Sequence, residues 1–245
     1  MSWIITGAQK VNWDPSLIST ALWLDAADTS TITTVNGAVS QWSDKSGNGR
    51  HATQSAAGNR PGYSADRVTF NGSTFLSCTP GWGNFWEWLL VLKFDRTDVL
   101  QIPIRDDASP ISTVVHGYNS STVQFYRVRN TADNAYASSI ADEFGTTTRI
   151  HGFSSRSTNR AFAFVDGTEK TNWSVSGSMG SNLYLGVNGT FGGNGLQGSM
   201  CEFVLLPSEA NDLTRQKLEG YLAHKWGLTA NLPADHPYKT AVPVP

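Results

Sequence analysis

The segment from Asp44 to Asn48 carries oxygen-bearing side chains at alternate positions, Asp44, Ser46 and Asn48, and Gly49 follows. In a tight loop this spacing turns several oxygens toward one point, and a hard cation such as calcium prefers oxygen ligands. Ser55 stands where an EF-hand loop would supply a bidentate glutamate, so the segment is not an EF-hand. Alternatively, Asp44 and Asn48 hydrogen-bond the backbone of their own turn. Both interpretations stay open, and calcium is the one cofactor that the sequence suggests.

Aromatic side chains are crowded between Gly81 and Trp88. Sugars bind by stacking their apolar C–H faces on aromatic rings, while a few polar groups orient the hydroxyls. Trp82 lies between two glycines, so we predict that it is exposed and stacks on a sugar. Trp86 and Trp88 share one face of a predicted strand, and we expect them in the core.

A second set of side chains could supply the polar and aromatic rim of a sugar site on a sheet surface. These residues are Tyr118, Asn119, Tyr126, Arg127 and Arg129. Cation–π pairing or simple solvation explains them equally well. Together with Trp82, the first four form the predicted carbohydrate-binding set.

Charge and hydropathy exclude several classes of partner. The net charge is −2, and no block of five or more like charges occurs, so neither a nucleic acid nor an anionic membrane is expected. No apolar run approaches the roughly 18 residues that a membrane-spanning helix needs. The N-terminus also lacks the features of a signal peptide, so export by the secretory route is not expected.

The remaining reactive side chains do not form a recognisable catalytic or metal motif. None of the five histidines is spaced with cysteine or another histidine as a zinc site requires. No serine nucleophile elbow and no phosphate-binding glycine loop occurs. Cys78 and Cys201 lie on predicted strands, where we expect them to be reduced and buried.

Short alternating segments joined by turns predict an all-β fold. Asn71-Gly72 and Asp166-Gly167 are strong turn signals, and the latter closes the clearest hairpin. The segment from Phe85 to Phe94 is apolar on both faces, as a central strand of a sandwich would be. About ten or more strands at this spacing favour an antiparallel two-sheet sandwich or jelly roll.

One amphipathic helix is predicted from Asn211 to Trp226, because its apolar residues recur at helical spacing. Asn211 or Asp212 can cap its N-terminus, and Gly227 stands where a left-handed C-terminal cap is expected. Gly220 lies inside the helix at a cost of about 1 kcal/mol relative to alanine, so we expect close backbone packing there.

Residues 1–16 form a predicted N-terminal arm, and residues 17–245 a single domain that includes the helix and the tail. The arm is apolar at Trp3, Ile4, Ile5 and Trp13. Exposed apolar segments of this kind are unusual on monomers. The arm therefore either packs on its own domain or inserts into a neighbouring subunit.

Several segments together resemble the laminin-G-like, concanavalin A-like lectin and glucanase jelly rolls, in the variant found in bacteriophage virion proteins and environmental bacterial genes. The residues that carry the resemblance are ALWLDAADTSTI (21–32), VSQWSDKSGNGRHA (39–52), VTFNGS (68–73), VDG (165–167), and LEGYLAHKWGL with LPADHPY (218–238). The resemblance implies a jelly roll of two antiparallel sheets that often serves as a carbohydrate-binding or adhesive module on a larger particle. The start of the chain is similar to the beginnings of phage structural proteins, which assemble in the bacterial cytoplasm.

Glycoside hydrolases of this resembled fold carry a Glu-x-Asp-x-x-Glu strand, and none of the six glutamates here has that spacing. Retaining hydrolysis needs two carboxyl groups about 5–5.5 Å apart, which no segment guarantees. From the sequence we therefore expect a protein that is not an enzyme.

The leading hypothesis is a virion accessory protein that decorates a capsid or belongs to a head or tail fibre. The arm would dock it to other virion proteins through Trp3, Ile4, Ile5 and Trp13, and aromatic residues would adhere to host glycans. A stand-alone bacterial lectin and a polysaccharide depolymerase are the alternatives. The sequence contains no heptad stretch that would enforce a trimer, and whether the chain forms a homo-oligomer stays open.

Overall fold

The computed structural model of the chain describes residues 13–83, 85–96, 98–99, 101–107, 145–156, 160–174, 180–186 and 194–245, and the backbone of 114–118, 124–129 and 134–136. The strands of these residues are β1 (Leu22–Asp25), β2 (Ile32–Val35), β3 (Ala38–Trp42), β4 (Ala52–Thr53), β5 (Gly62–Ser64), β6 (Arg67–Asn71), β7 (Leu76–Cys78), β8 (Trp86–Phe94), β9 (Ile104–Asp106), β10 (Val114–Tyr118), β11 (Gln124–Arg129), β12 (Asn134–Tyr136), β13 (Arg149–Arg156), β14 (Arg160–Val165), β15 (Thr168–Ser174), β16 (Leu183–Leu185) and β17 (Gln197–Leu206). The helices are α1 (Asp212–Trp226) and the short 3-10 turns Pro15–Leu17, Thr29–Thr31, Ala57–Asn59 and Thr229–Asn231.

Antiparallel pairing connects the strands. Fourteen of them form one hydrogen-bonded network in the order β15-β14-β13-β8-β17-β6-β5-β3-β4-β7-β16-β9, with β1 beside β17 and β2 beside β3. Strands β10, β11 and β12 form a separate sheet that adjoins β9. Each of these strand pairs is antiparallel. The prediction of an all-β, mostly antiparallel protein with one C-terminal helix is confirmed.

The main core fills the space between two stretches of this network. Alternate residues of β8, from Trp86 to Phe94, point into it together with Phe203 and Leu205 of β17. From the other stretch, several residues pack against them: Val39 and Trp42 of β3, Ala52 of β4, Leu76 of β7, Ile104 of β9, and Leu183 and Leu185 of β16. Each fully buried aliphatic side chain contributes about 1.5–3 kcal/mol, so this contact between two layers holds the sandwich-like fold together.

A second apolar cluster covers the opposite face of β8 and β17. Leu89 and Val91 of β8 and Val204 of β17 pack there against Leu218 and Leu222 of α1. The alternation of a strand sends successive side chains to opposite faces, so β8 is buried on both. The sequence predicts that the segment from Phe85 to Phe94 is a central strand, because it is apolar on both faces. This prediction is confirmed.

The ends of helix α1 follow the predicted capping pattern. The Asn211 side chain accepts a hydrogen bond from Thr214 N at 2.8 Å, and Gly227 adopts φ 70° at the C-terminal end. Gly220 faces the C-terminal tail so closely that an added Cβ would lie 2.9 Å from Tyr238 Cγ and 3.1 Å from Pro243 Cγ. The predicted close backbone packing at Gly220 is confirmed.

Other local predictions are confirmed as well. Asp166 and Gly167 adopt φ 50° and 80° in the turn between β14 and β15. Cys78 and Cys201 are free and buried, and burial raises the pKa of each thiol to about 12. Within the described residues, no helix has the length and the apolar character that a bilayer crossing requires.

Candidate functional site

A groove opens on the outer face of strands β3, β4 and β7. Val39, Ala52 and Leu76 are buried in the main core, and their chain neighbours Ser40, Thr53 and Ser77 therefore lie on the other side of the sheet. The groove has a volume of about 290 Å³. Its walls are formed by Ser40, Thr53, Gln54, Ser55, Arg60, Phe75 and Ser77.

Hydrogen bonds between side chains and the backbone fix the wall that follows β4. Gln54 is buried, its amide nitrogen donates to Phe75 O at 3.2 Å, and its Oε1 accepts from Ala56 N at 3.0 Å. Arg60 donates from Nε to Gln54 O at 2.9 Å and from Nη2 to Ser55 O at 2.8 Å. The loop between β4 and β5 is thus held against β7 by its own side chains.

Phe75 of the groove wall also belongs to an aromatic pair on the outer face of the sheet. The rings of Phe75 and Tyr184 lie 6.2 Å apart, tilted by 54°. Tyr184 of β16 is paired with Ser77 on one side and with Arg105 of β9 on the other. A row of polar and aromatic side chains therefore continues from the groove across the outer face of the sheet.

Together these walls offer three kinds of contact to a ligand. The hydroxyls of Thr53, Ser55 and Ser77 have no hydrogen-bond partner within the described residues. Phe75 adds an apolar edge, and Arg60 adds a cation. Hydroxyl groups without partners in the described part of the chain, beside an aromatic ring and a cation, suit a small ligand that is itself rich in hydroxyl groups.

The sequence did not single out these groove residues. Each of β4, β7 and β16 is only two or three residues long, and the first and last are about 130 residues apart in the chain. The available signal was local: Leu76-Ser77-Cys78 and Leu183-Tyr184-Leu185 alternate apolar and polar side chains. It predicts an exposed polar position on each strand but not that the strands are neighbours.

The predicted calcium loop is held together by hydrogen bonds. Asp44 Oδ1 accepts from Trp23 N at 3.0 Å and from Ser46 N at 2.9 Å, and Oδ2 accepts from Ser46 Oγ at 2.8 Å and Arg50 N at 3.0 Å. The Asn48 amide donates to Thr20 O at 2.9 Å. The bonds from Ser46 N and Arg50 N to Asp44 match the turn interpretation. The bonds with Trp23 N and Thr20 O lie outside the turn, so Asp44 and Asn48 also connect the loop to β1 and the residues before it. Calcium binding by Asp44, Ser46 and Asn48 stays a prediction.

Trp82 is half-buried and packs against the main core. Its ring lies 5.2 Å from that of Trp86, tilted by 57°, and its indole N–H has no hydrogen-bond partner within the described residues. The structure does not place it on the groove. Trp86 and Trp88 are 3% and 0% exposed, so their predicted core position is confirmed.

The remaining predicted sugar-binding residues lie in or beside the separate three-stranded sheet. Tyr118 ends β10 and is paired with Gln124, while Tyr126 and Arg127 are paired with His116 and Val115. Their side chains, and Asn119 altogether, lie outside the described residues. Their role in binding stays a prediction.

Trp13 occupies a different place from the one expected of a docking residue. It is 4% exposed, its ring lies 6.2 Å from that of Tyr221 on α1, and its N donates to Pro243 O at 3.3 Å. Trp13 is therefore a core residue of its own domain. Trp3, Ile4 and Ile5 lie outside the described residues, so docking through them, like the domain boundary at residue 16, stays a prediction.

A buried glutamate lies between the sheet and α1. Glu202 of β17 is 0% exposed and accepts from Trp23 Nε1 at 2.8 Å, Tyr221 OH at 2.9 Å and Trp226 Nε1 at 2.8 Å. Lys225 Nζ lies 2.7 Å from Glu202 Oε2. Burial raises the pKa of Glu202, and the Lys225 ammonium opposes that increase. The carboxylate thus anchors the last turn of the helix to the sheet.

The same network includes a second carboxylate and a second lysine. Asp25 of β1 is paired in register with Glu202 and is 4% exposed. Its oxygens lie 2.7 Å from Lys225 Nζ and 2.9 Å from Lys45 Nζ, and Lys45 also contacts Asp28 at 2.9 Å. These charges compensate one another and connect β1, β17, α1 and the Asp44 loop.

A third buried carboxylate lies under the first half of α1. Glu87 of β8 is 0% exposed and accepts from Ala210 N at 3.4 Å. Burial raises its pKa to about 7, and the Arg215 cation opposes the increase. Nearby, Glu219 Oε2 lies 3.1 Å from His236 Nε2. In the described part of the chain, no three His, Cys, Asp or Glu side chains are grouped to hold a metal ion.

No protein-family model matches the chain, and no curated protein matches its sequence. Among solved structures it is similar to a Trypanosoma rangeli sialidase in complex with sialic acid, with a TM-score of 0.60 and 13% identity over 83% of this chain and 33% of the sialidase. The botulinum neurotoxin type G receptor-binding domain gives 0.54 and 10% over 80% of this chain and 49% of that one.

A third structure concerns botulinum neurotoxin type C, whose cell entry depends upon interaction with two ganglioside molecules. It gives a TM-score of 0.57 and 8% identity over 83% of this chain and 51% of the toxin chain. The chain thus spans about a third of the sialidase and about half of the two toxin chains. At such identities the likeness shows a shared all-β, sandwich-like fold.

The prediction that the chain is not an enzyme is wrong, because the fold does not support it. Solved structures that share the fold include sialidases, one of them a mutant displaying trans-sialidase activity. The absence of a Glu-x-Asp-x-x-Glu strand excluded one known arrangement of catalytic carboxylates, whereas the fold itself occurs within enzymes of another kind.

Proposed function

We propose that the chain is a carbohydrate-binding module and that the groove beside β4 and β7 holds a sugar residue of a glycan. The observation that carries the proposal is the groove itself, where Thr53, Ser55 and Ser77 face an aromatic edge formed by Phe75. Small-molecule sites span roughly 300–1,000 Å³. The groove's 290 Å³ is just below the lower limit of that range, which suits one or two sugar residues of a longer chain.

The proposal includes a finer description of the fold, a jelly roll of two antiparallel sheets. It is supported by the main core, which receives β8 and β17 from one stretch of the network and β3, β4, β7 and β16 from another. On this description the groove lies on the solvent face of the second sheet, where an adhesive module would present a binding surface.

The test is binding of the purified chain to an array of neutral and acidic glycans, followed by calorimetry with the best ligand. Thr53 is exposed on the groove wall, so Thr53→Trp would fill the groove without entering the core. We expect Thr53→Trp to abolish binding. The matched control is Thr168→Trp, at an exposed position at the start of β15, which should bind as the parent does.

Two outcomes would contradict the proposal. One is the absence of binding to any glycan on the array. The other is binding that Thr53→Trp leaves unchanged, since the sugar would then occupy another surface, such as the one predicted around Tyr118, Tyr126 and Arg127.

We further propose that this module belongs to a phage virion, as a capsid decoration or a part of a fibre, and reaches it by assembly in the bacterial cytoplasm. Support comes from the sequence resemblance and from Trp13. Because Trp13 is fixed beneath α1, the apolar segment that contains Trp3, Ile4 and Ile5 is attached at a defined point of the domain. Other virion proteins would be its partners, and a homo-oligomer would multiply weak sugar contacts.

Deletion of residues 1–12 tests the virion proposal, because it removes Trp3, Ile4 and Ile5 but keeps the buried Trp13. A folded deletion protein that no longer incorporates into particles would support docking through this segment. Normal incorporation of the deletion protein would contradict it. A chain that folds, binds glycans and has no particle to join would instead favour the stand-alone lectin.

A further inference from the structure

We infer that the groove prefers acidic sugars and that Arg60 supplies the cation that recognises their carboxylate; this rests on the proposed carbohydrate-binding function. Of the residues that line the groove in the described part of the chain, Arg60 alone is charged. The other walls are hydroxyl, amide and aromatic groups, and no carboxylate is among them. The groove is therefore a neutral polar surface with one fixed positive charge.

The guanidinium of Arg60 is oriented before any ligand arrives. Its Nε donates to Gln54 O and its Nη2 to Ser55 O, and both acceptors are neutral backbone carbonyls. These two bonds use only part of its five N–H donors. Arg60 forms no ion pair within the described residues, so its charge is not compensated there.

A carboxylate suits such a group better than a hydroxyl does. Hydrogen bonds between ionised partners are shorter and roughly twice as strong as neutral ones, and the planar guanidinium matches carboxylate geometry. Arg60 is half-buried, and Coulomb attraction is stronger there than in bulk water. Because the guanidinium is already held, little side-chain entropy is lost on binding.

The hydroxyl walls then select a sugar acid over a simple carboxylate. Thr53, Ser55 and Ser77 can exchange hydrogen bonds with ring hydroxyls, and the edge of Phe75 can meet an apolar sugar face. Two classes of glycan share this chemistry, those with a terminal sialic acid and those built from uronic acids. Both present a carboxylate on a hydroxylated six-membered ring.

The first experiment uses the unaltered chain and changes only the ligand. Calorimetry compares sialyllactose with its methyl ester, and a galacturonic acid trimer with its methyl ester. We expect at least one acid to bind about 10- to 100-fold more tightly than its neutral counterpart. The pair that shows the difference identifies the source of the carboxylate. The preference should also weaken as the salt concentration rises.

Three variants then assign the preference to Arg60. Arg60→Gln should reduce the acid-to-neutral affinity ratio to near one, and Arg60→Lys should recover only part of it because the planar fork is lost. Arg160→Gln removes one positive charge from an exposed position on β14 and should leave the ratio unchanged. Neutral sugar binding by Arg60→Gln shows that its groove is still formed.

The outcomes separate the two proposals. Equal affinity for acids and their neutral counterparts would overturn the inference and leave carbohydrate binding intact. A preference that persists in Arg60→Gln, with neutral sugars still bound, would also overturn it. If the chain binds none of the four ligands and no other glycan, both proposals are overturned.

Discussion

Two glutamates occupy fully buried positions on neighbouring strands, and burial raises the pKa of both, but their hydrogen-bond partners differ. Glu202 is surrounded by two indole donors, a tyrosine hydroxyl and the Lys225 ammonium. Glu87 has the amide of Ala210 at 3.4 Å, and its pKa is raised to about 7. The Glu202 carboxylate links the helix to the sheet through several partners, whereas Glu87 has fewer partners and its ionisation lowers the stability of the fold.

Replacing Glu202 with alanine should lower the free energy of unfolding by about 3–5 kcal/mol, because Lys225 and the two indoles lose a buried partner. Urea unfolding followed by tryptophan fluorescence measures the change. The control is Asp95→Ala, which breaks an exposed pair with Lys93 and should cost less than about 1 kcal/mol. Equal effects of the two substitutions would show that the buried network contributes no more than a surface pair.

The free energy of unfolding should contain a contribution from Glu87 that falls as the pH rises. A carboxyl with a raised folded pKa binds its proton more tightly in the folded state, so stability is lost between the unfolded pKa of 4.5 and the folded value of about 7. The total is about 3 kcal/mol. We expect Glu87→Gln, relative to the parent, to gain stability progressively over this range.

The comparison is made as a difference, because other groups titrate in the same range. His151 is buried and its pKa is lowered to about 3, so its contribution increases with pH up to about 6.5, the opposite sign. Subtracting the parent curve from that of Glu87→Gln at each pH removes this contribution. A flat difference between pH 4.5 and 7 would contradict the raised pKa of Glu87.

At the scale of single residues, the sequence indicates burial but not partners. Glu87 and Glu202 each interrupt a strand that is apolar on both faces, which marks them as buried carboxylates. Their partners come from other elements: Trp23 is 179 positions away from Glu202, and Ala210 is 123 away from Glu87. Contacts between residues so far apart in the chain depend on the tertiary fold.

Helix α1 is the element that local sequence predicts best. Its predicted start and end differ from the observed bounds by at most one residue, because Asn211 and Gly227 cap it through short-range hydrogen bonds and backbone conformation. No short-range interaction explains the glycine at position 220. It is required because the C-terminal tail packs closely against the helix there.

Gly220→Ala should destabilise the protein by about 1–3 kcal/mol. Helix propensity alone favours alanine by about 1 kcal/mol, so the expected sign is the reverse of the local one. The reason is that the new methyl group would collide with the Cβ and Cγ of Tyr238. Thermal or urea unfolding measures the effect.

Gly58→Ala is the matched control, since a Cβ there meets nothing within 4 Å. We expect it to be neutral or slightly stabilising. If Gly220→Ala were also neutral, the tail would have to move away from the helix at little cost.

The groove is the element-scale feature that sequence could not predict. It needs β4 to pair with β7 at one register position, Thr53 with Ser77, and it needs the loop to close over Gln54. Strands this short carry too little periodicity to specify a partner. The aromatic signal pointed instead to Trp82, which packs on the main core.

At the scale of the whole molecule, both ends of the described chain meet beneath α1. Trp13 contacts Tyr221 and Pro243, and Leu228 and Leu232 of the tail share the same apolar cluster. The antiparallel class, the helix and the central strand could be predicted because they depend on local periodicity. That both ends of the described chain cover α1 could not be predicted, because it depends on contacts between residues more than 200 positions apart in the chain.

Trp13→Ala should lower the free energy of unfolding by about 3–5 kcal/mol, since it empties a large buried site. Urea unfolding of the full chain and of the chain lacking residues 1–12 measures the effect in each background. The deletion alone should change stability little if Trp13 is where the folded domain begins. A stable Trp13→Ala variant would mean that the cluster beneath α1 holds without it.

The groove and the cluster beneath α1 lie on opposite sides of the main core, because one occupies the outer face of β4 and β7 and the other the outer face of β8 and β17. Trp13 and Pro243 both belong to the side of α1. Fusion to a scaffold at either end of the described chain would therefore leave the groove pointing away from the support. If the groove binds a glycan as proposed, clustered copies on one scaffold would engage a glycan-coated surface simultaneously, and avidity would compensate for a weak monovalent site.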